Sequence, residues 1–310
     1  MAKESLRGQY GKSLIELGSK DHNIVVLDAD LAKSTKTLGF GKEFINRFFD
    51  MGLSEQDMIS TAAGIALTGK TVFASSFSVF LTGRVFDQVR QSVCYNNANV
   101  KLVATHSGLG VGEDGATHQS LEDIALMRSL PNMRVIVPAD SIETKKVIEY
   151  VSRESGPFYV RLIRGELPVV HNKDHVYEPG KADILTDGDD LVIFAIGSMV
   201  NKALDASAKL KHLSLGASVV NLSSIKPMDE DTVVSLARKT RHVITIEDHS
   251  VYGGMGSSVA EVLSQKFPVK MKIIGVENSF GRSGKPEELY DFFQLTPERI
   301  VKEAKIILGK

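Results

Sequence analysis

Residues 71–105 read TVFASSFSVFLTGRVFDQVRQSVCYNNANVKLVAT, and this stretch decides the fold. It starts and ends with short apolar runs, at residues 71–75 and 101–105, and holds an amphipathic segment between them. Two such runs joined by a helical segment are typical of parallel strands connected by a crossover helix. Parallel sheets carry helices on both faces, so their strands are largely apolar. This unit therefore predicts a parallel α/β sheet.

The same alternation continues outward on both sides, and it lapses only over residues 165–190, where Pro, His, Asp and Gly are frequent. A length of 310 residues suits two domains. We predict two tandem α/β domains, at residues 1–168 and 189–310, joined by a linker at 169–188. The predicted strands are residues 24–28, 71–75, 101–105, 133–137, 158–162, 191–196, 218–222, 242–247 and 272–276. The predicted helices are residues 56–67, 80–95, 121–129, 142–153, 201–213, 229–238, 256–265 and 297–308.

Composition excludes several classes of function. The chain has 37 Lys and Arg against 38 Asp and Glu, and it shows no basic stripe to neutralise a nucleic-acid backbone. Its single cysteine, Cys94, excludes an internal disulfide framework and is expected to fill the core. The polar N-terminus does not resemble a signal peptide, and no apolar stretch reaches the ~20 residues of a membrane span. We expect a soluble, cytoplasmic protein.

Two glycine motifs resemble nucleotide-binding loops but lack required residues. Residues 252–256, YGGMG, open a predicted helix, yet Val259 stands where a dinucleotide fingerprint needs its third glycine. Gly284 and Lys285 resemble the end of a P-loop, but Pro286 replaces the hydroxyl ligand. A tight strand-to-helix turn is the better interpretation of the first motif.

Three segments of the first domain concentrate chemistry. Glu55 lies near the start of a small-residue helix, where the helix dipole favours a carboxylate. Phe77 and Phe80 follow a predicted strand, and on their own they suit a core better than a stacking platform. Residues 105–119, THSGLGVGEDGATHQ, follow another strand and hold two His and two acids. Open α/β sheets bind ligands at such strand ends, so a functional loop is favoured there.

Taken together, these segments resemble the pyrimidine-binding domain of transketolase. GEDGATHQ at residues 112–119 is the most specific match, and Gly52-Leu53-Ser54-Glu55 is similar to the family's glycine-x-x-glutamate. Residues 76–80, SFSVF, are similar to its aromatic strip. Ile225-Lys226-Pro227, with the YGGMG motif, resembles the family's C-terminal domain.

The resemblance implies dependence on thiamine diphosphate. Glu55 would be the catalytic carboxylate that hydrogen-bonds N1′ of the aminopyrimidine and favours its imino tautomer. Phe80 would stack on that ring with Phe77 beside it, and Asp30 would line the cofactor site. The implied reaction transfers a two-carbon ketol unit from a ketose phosphate to an aldose phosphate.

The resemblance also implies a substrate site. Asp114 would bond a substrate hydroxyl, and His118 would contact the donor oxygen and assist proton transfer. The positions that match the family's phosphate-binding residues are Arg7, Ser34, His106 and Arg164. A sugar phosphate needs such positive charge and such donors.

The family binds Mg²⁺ and the diphosphate through a GDG…N motif in another domain, and no such motif occurs in this sequence. We therefore expect a partner chain that carries that domain and holds the metal, in an α₂β₂ assembly with the cofactor at the interface. This chain would supply no metal ligand and would bind thiamine diphosphate weakly by itself.

Three positions depart from the family pattern. Gly83 replaces an aromatic residue, Ser107 stands where Asp is common, and Ala116 stands where Pro is common.

Other functions stay open. The rival enzyme is the β subunit of a 2-oxoacid dehydrogenase, and 1-deoxyxylulose-phosphate synthase is a weaker rival because it carries its domains in one chain. A catalytically silent partner subunit would have lost Glu55 or Phe80, and both are present.

Overall fold

The computed structural model describes residues 2–310 and confirms two tandem α/β units. The strands are β1 (Lys3–Ser5), β2 (Ile24–Asp28), β3 (Phe48–Asp50), β4 (Thr71–Phe77), β5 (Val100–Thr105), β6 (Arg134–Ile136), β7 (Phe158–Arg161), β8 (Glu166–Pro168), β9 (Asp183–Thr186), β10 (Leu191–Ala195), β11 (Ala217–Asn221), β12 (Ser224–Lys226), β13 (His242–Ser250) and β14 (Lys270–Val276). The α-helices are α1 (Leu6–Lys20), α2 (Ala32–Thr35), α3 (Leu38–Glu43), α4 (Glu55–Leu67), α5 (Ser78–Leu81), α6 (Phe86–Gln88), α7 (Asp123–Ser129), α8 (Ser141–Arg153), α9 (Met199–His212), α10 (Glu230–Thr240), α11 (Met255–Lys266), α12 (Pro286–Phe292) and α13 (Pro297–Leu308). Short 3₁₀-helices cover Ile45–Arg47 and Leu109–Asp114, and a π-helix covers Val89–Cys94.

The first unit is built on a sheet with the strand order β12-β6-β7-β5-β4-β2-β3. All its neighbouring pairs are parallel except β12 with β6. Asp28 pairs with Ser75 and Phe77 pairs with Thr105, so β2, β4 and β5 end at one edge. Since β12 comes from the second half of the chain, that half contributes the edge strand beyond β6.

The second unit is built on a smaller sheet with the order β14-β13-β10-β11-β9. Its central pairs are parallel, and β9 adds an antiparallel edge. The segment predicted as a linker thus contains β9 and joins the second sheet. Near it, β1 and β8 form a small antiparallel pair.

Every predicted strand has a counterpart in the structure, and the helix at 297–308 matches α13. The α-helices and strands absent from the sequence prediction are α1, α2, α3, α12 and the short strands β1, β3, β8, β9 and β12. Helix α1 contains glycines instead of a regular apolar stripe, which hides its periodicity. Two of them allow close packing, because an added Cβ would lie 2.6 Å from the Lys36 carbonyl oxygen at Gly11 and 2.5 Å from the Phe40 ring at Gly18.

The prediction of one helix over residues 80–95 is wrong. The chain forms α5, leaves helical geometry at Thr82 (φ −125°, ψ −75°) and resumes as α6 and the π-helix. A β-branched residue followed by Gly83 is a weak helix former, and the Thr82 hydroxyl bonds the Ser78 carbonyl instead (2.7 Å). The break turns Arg84 toward α4, where Gln56 Nε2 donates to its carbonyl (3.1 Å).

Buried groups join the two units. Arg161 is 5% exposed; its Nε donates to Asp123 Oδ2 (2.7 Å), and its Nη2 donates to the Asp248 carbonyl in the second unit (2.8 Å).

Cys94 is buried, as expected, and burial raises the pKa of its thiol to about 11. Within residues 2–310, no helix has the length and apolar character that a bilayer crossing requires.

Candidate active site

Five of the predicted site residues lie at or after the carboxyl ends of the parallel strands in the first sheet. Asp30 follows β2, Glu55 follows β3, Phe77 ends β4, His106 follows β5 and Arg164 follows β7. Because these strands run parallel, their ends meet at one edge, where open α/β sheets bind ligands.

Four aromatic rings form a cluster at this edge. The His106 ring stacks on Phe77 with centroids 3.7 Å apart, and Phe80 lies parallel to Phe77 at 6.0 Å. His118 meets Phe80 edge-on at 5.4 Å and Phe77 at 6.3 Å. Phe77 is therefore the centre of the cluster, and Phe80 forms its outer wall.

Glu55 is the first residue of α4 and is 4% exposed. Arg84 Nη1 donates a hydrogen bond of 2.9 Å to Glu55 Oε1. The same guanidinium lies over the Phe80 ring at 4.1 Å. A flat nitrogen-bearing group thus stacks on Phe80 and bonds Glu55, and these are the two contacts that the sequence resemblance assigns to the aminopyrimidine.

Sequence reasoning did not single out Arg84. It lies inside the predicted continuous helix 80–95, where an arginine is usually a solvated surface charge. The Thr82-Gly83 pair was the available signal, since it weakens the helix immediately before Arg84. A side chain added at Gly83 would have room, with Val79 O as its nearest neighbour at 3.7 Å.

Basic groups gather beside the aromatic cluster. Arg7 Nη1 donates to the Ser34 carbonyl (2.8 Å), and Arg7 Nε is buried with no hydrogen-bond partner among residues 2–310. Burial and the nearby charge of Arg164 lower the pKa of Arg7. Burial, followed by the charges of Arg7 and Arg164, lowers the pKa of His106 to about 3. His106 is therefore neutral at pH 7, in a region of positive potential that suits an anion.

The glycine-rich loop places Asp114 and His118 at the mouth of this region. Arg164 Nη1 donates to the Val111 carbonyl (2.6 Å) and lies 3.4 Å from Asp114 Oδ2. His118 Nδ1 lies 3.0 Å from Thr117 Oγ1. The Asp114 side chain is 38% exposed, so its carboxylate is accessible from solvent.

Asp30 lies at the same edge but apart from the ring cluster. It adopts a left-handed conformation (φ +60°), and its N–H donates to Asp50 Oδ1 (2.9 Å). In the part of the chain that the structure describes, no hydrogen bond or ion pair joins its carboxylate to the other predicted site residues. Asp28, two residues earlier, is buried, and desolvation raises its pKa to about 6.

The second unit supports the glycine-rich loop. Asp248 Oδ1 accepts from the Leu109 N–H (2.9 Å), and Tyr290 Oη donates to Asp248 Oδ2 (3.0 Å). Gly108 (φ +66°) passes so close that an added Cβ would lie 2.3 Å from Asp248 Oδ2. Asp248 is a positioning residue that sequence reasoning missed, because its contact with the loop is long-range.

The YGGMG motif is a strand-to-helix turn, as predicted. Gly253 has φ +76°, and α11 begins at Met255. The Glu247 carboxylate accepts from the N–H groups of Met255 (2.7 Å) and Gly256 (2.8 Å). The helix terminus that would cradle a phosphate is thus capped by the protein itself.

Two family models match the chain. The transketolase pyrimidine binding domain matches residues 3–170, and the transketolase C-terminal domain matches residues 180–300. Together they cover most of the chain and correspond to the two α/β units of the fold.

Individual proteins match over almost the full length. A putative transketolase C-terminal section from Methanocaldococcus jannaschii is 48% identical and covers 96% of this chain and 95% of its own. A 6-deoxy-6-sulfo-D-fructose transketolase subunit from a Clostridium species is 39% identical, with 96% and 93% coverage. A solved structure described as a split gene transketolase, inactive beta4 tetramer, is 44% identical, with a TM-score of 0.91 and 99% coverage of both chains.

These matches share the domain order, the length and the fold of the chain described here. They confirm the resemblance that residues 112–119 and Gly52-Leu53-Ser54-Glu55 indicated. The chain therefore belongs to the transketolase family and corresponds to the C-terminal subunits of its split-gene members.

Proposed function

We propose that this chain is the C-terminal subunit of a thiamine-diphosphate-dependent transketolase that moves a two-carbon ketol unit from a ketose phosphate to an aldose phosphate. The observation that carries the proposal is the buried Glu55 carboxylate beside the Phe80 ring. The basic group of Arg7 and Arg164 next to the same ring cluster supports an anionic sugar.

The residues present fit the pyrimidine half of the cofactor. Glu55 would hold a proton at N1′, and Phe80 would orient the ring by stacking, with Phe77 behind it. The Arg84 guanidinium now makes both contacts, so we propose that it swings away when the cofactor binds. When bound, thiamine diphosphate supplies a carbanion nucleophile; the protein supplies orientation and proton transfer.

The substrate contacts follow from charge. Arg7 and Arg164 would hold the terminal anionic group, with Arg7 Nε as an unused buried donor. His106, being neutral, would act as a hydrogen-bond donor instead of a cation. The Clostridium relative is named for a sulfonated sugar. Phosphate and sulfonate are both anions that such a site would fit. We propose phosphate as the group recognised here.

Exposed apolar residues at both ends of α4 and after the π-helix support a partner chain. Leu53 is 79% exposed two residues before Glu55, Leu67 at the end of α4 is 66% exposed, and Tyr95 is 82% exposed. Such residues on neighbouring segments suit an interface. We propose that an N-terminal transketolase subunit covers them, holds the diphosphate and Mg²⁺ through its GDG…N motif, and forms an α₂β₂ assembly. The related beta4 tetramer described as inactive agrees with this proposal.

The test is an assay of this chain mixed with a candidate partner, thiamine diphosphate and Mg²⁺, with xylulose 5-phosphate as donor and ribose 5-phosphate as acceptor. Product that requires both chains and disappears with Glu55→Gln supports the proposal. Acetyl transfer from pyruvate without sugar turnover would assign the chain to the 2-oxoacid dehydrogenases. Full turnover with Glu55→Gln would leave the chain as a silent partner subunit.

A further inference from the structure

A second cluster of ligand-type side chains lies away from the candidate active site, where the chain crosses between the two units. Glu143 belongs to α8 of the first unit, His171 and His175 lie in the crossover, and Asp183 begins β9 of the second sheet. We propose that these four side chains bind one divalent cation of the zinc class, which fastens the crossover to both units.

The distances suit one ion. Glu143, His171 and His175 each offer a ligand atom, and these atoms lie within 4.8 Å of one another. Asp183 Oδ2 lies 3.1 Å from His171 Nε2 and 3.7 Å from His175 Nδ1. Metal–ligand bonds of about 2.0–2.1 Å in a tetrahedron place ligand atoms about 3.3 Å apart. Small side-chain movements would therefore complete the shell.

Unused polar atoms point to a ligand at this place. His171 Nε2 and His175 Nε2 are buried and have no hydrogen-bond partner among the described residues, and the His171 side chain is 2% exposed. His171 Nε2 forms an ion pair with Asp183 Oδ2 at 3.1 Å without a hydrogen bond, and His175 Nε2 has neither kind of partner among the described residues. A buried polar atom without a partner is costly. A bound cation would satisfy the imidazole nitrogen and the carboxylate together.

The surroundings fix the proposed ligands in place. His171 Nδ1 lies 2.9 Å from Asp140 Oδ2, which also accepts from the backbone N–H of His171 (2.8 Å). A carboxylate on one imidazole nitrogen leaves the other free for a metal, as in carboxylate–histidine–zinc arrangements. Glu143 Oε2 accepts from the Ala139 N–H (2.7 Å) and Asn221 Nδ2 (3.0 Å). These bonds hold the ligands before any ion arrives.

The donor set selects the class of metal. Two imidazoles and two carboxylates suit Zn²⁺ or Co²⁺ better than Mg²⁺, which prefers oxygen ligands and retains water. Four protein ligands leave no open position, so the site is structural and not catalytic. Its ligands come from α8, the crossover and β9, so the ion would stabilise the packing of one unit against the other.

The test uses the tag-free full-length chain, stripped with EDTA and then titrated with Zn²⁺ by calorimetry and with Co²⁺ by visible absorption. We expect one equivalent of each metal, tetrahedral Co²⁺ bands and a rise in Tm with Zn²⁺. His175→Gln should weaken binding at least about 100-fold and abolish the rise in Tm, while His22→Gln, an exposed histidine outside the cluster, should change neither.

Circular dichroism and the metal-free Tm of His175→Gln control for misfolding, and Asp183→Asn provides a second variant that should weaken Zn²⁺ binding. Binding that survives both substitutions, or a wild-type chain that takes up no Zn²⁺ at micromolar concentration, would overturn the proposal. In that case a protonated His171 held between Asp140 and Asp183 would account for the cluster.

Discussion

Arg84, in the break between α5 and α6, forms an ion pair with Glu55 at the start of α4, with Arg84 Nη1 2.9 Å from Glu55 Oε1. The Arg84 side chain is 47% exposed and the Glu55 side chain is 4% exposed, so a half-exposed cation neutralises a buried carboxylate. Leaving such a carboxylate buried without a partner would be costly. The ion pair with Arg84 therefore supplies the buried Glu55 carboxylate with a partner.

In the assembled enzyme, Arg84→Met should lower the apparent Kd for thiamine diphosphate about fivefold, because the guanidinium no longer competes for Glu55 and Phe80. This factor corresponds to about 1 kcal/mol, the free energy that a half-exposed ion pair contributes. Isothermal titration calorimetry measures the Kd, and the exposed Arg153→Met is the surface control. A higher Kd would show that Arg84 helps to hold the cofactor.

Glu55→Gln should leave the fold intact and lower kcat of the assembled enzyme by at least about 100-fold, since a neutral amide cannot exchange the proton at N1′. Asp57→Asn, an exposed position in the same first turn of α4, is the matched control. Steady-state kinetics at saturating cofactor provide the measurement. Equal losses in both variants would indicate disturbance of the helix start instead of loss of the proton relay.

Arg7→Gln combined with Arg164→Gln should raise KM for a phosphorylated acceptor about 10- to 100-fold, because charge-assisted hydrogen bonds contribute about 1.5–3 kcal/mol each and are partly replaced by water. KM for an unphosphorylated aldehyde such as glycolaldehyde should stay nearly constant. Lys12→Gln, an exposed residue of α1, is the control. A parallel rise for both acceptors would contradict an anion-binding role.

Stability should depend on pH through His106. Its folded-state pKa of about 3 lies below the ordinary value of 6.5, so the unfolded chain binds more protons between these values. This contribution is absent above pH 7 and destabilises the fold progressively as the pH falls toward 3. Asparagine tolerates the left-handed φ of +56° at this position. Between pH 7.5 and 4.5, the free energy of unfolding should fall by roughly 2 kcal/mol less in His106→Asn than in the wild type.

Urea unfolding of wild type and His106→Asn at both pH values measures this difference, with the exposed His212→Asn as control. An unchanged pH dependence in His106→Asn would show that other groups cause the loss of stability in acid.

Asp248 should act on the substrate site through the loop. Asp248→Ala leaves the Leu109 N–H without its acceptor, which costs about 1–3 kcal/mol, and should raise the sugar KM more than it lowers kcat. Asp248→Asn retains an acceptor and should restore most of the KM. Equal damage to kcat and KM in Asp248→Ala, without rescue by Asp248→Asn, would point to general destabilisation.

The local patterns of the sequence were enough to predict each parallel strand of both sheets except the three-residue edge strand β3. The apolar runs at 24–28 and 101–105 became β2 and β5 almost residue for residue, because a buried strand needs a continuous apolar run wherever it lies. Short edge strands such as β9 and β12 escaped prediction. Their partners are distant in sequence, and strands of three or four residues carry little pattern.

The sequence by itself determined the fold class, the family and the residues that follow the strand ends, because residue type and spacing are local properties. Only the tertiary structure decided what these residues touch. It paired Arg84 with Glu55, placed Asp248 against the loop at Leu109, and brought His171 and His175 to Glu143. Each of these contacts depends on chain reversal and on packing between distant segments, and no local pattern encodes where such segments meet.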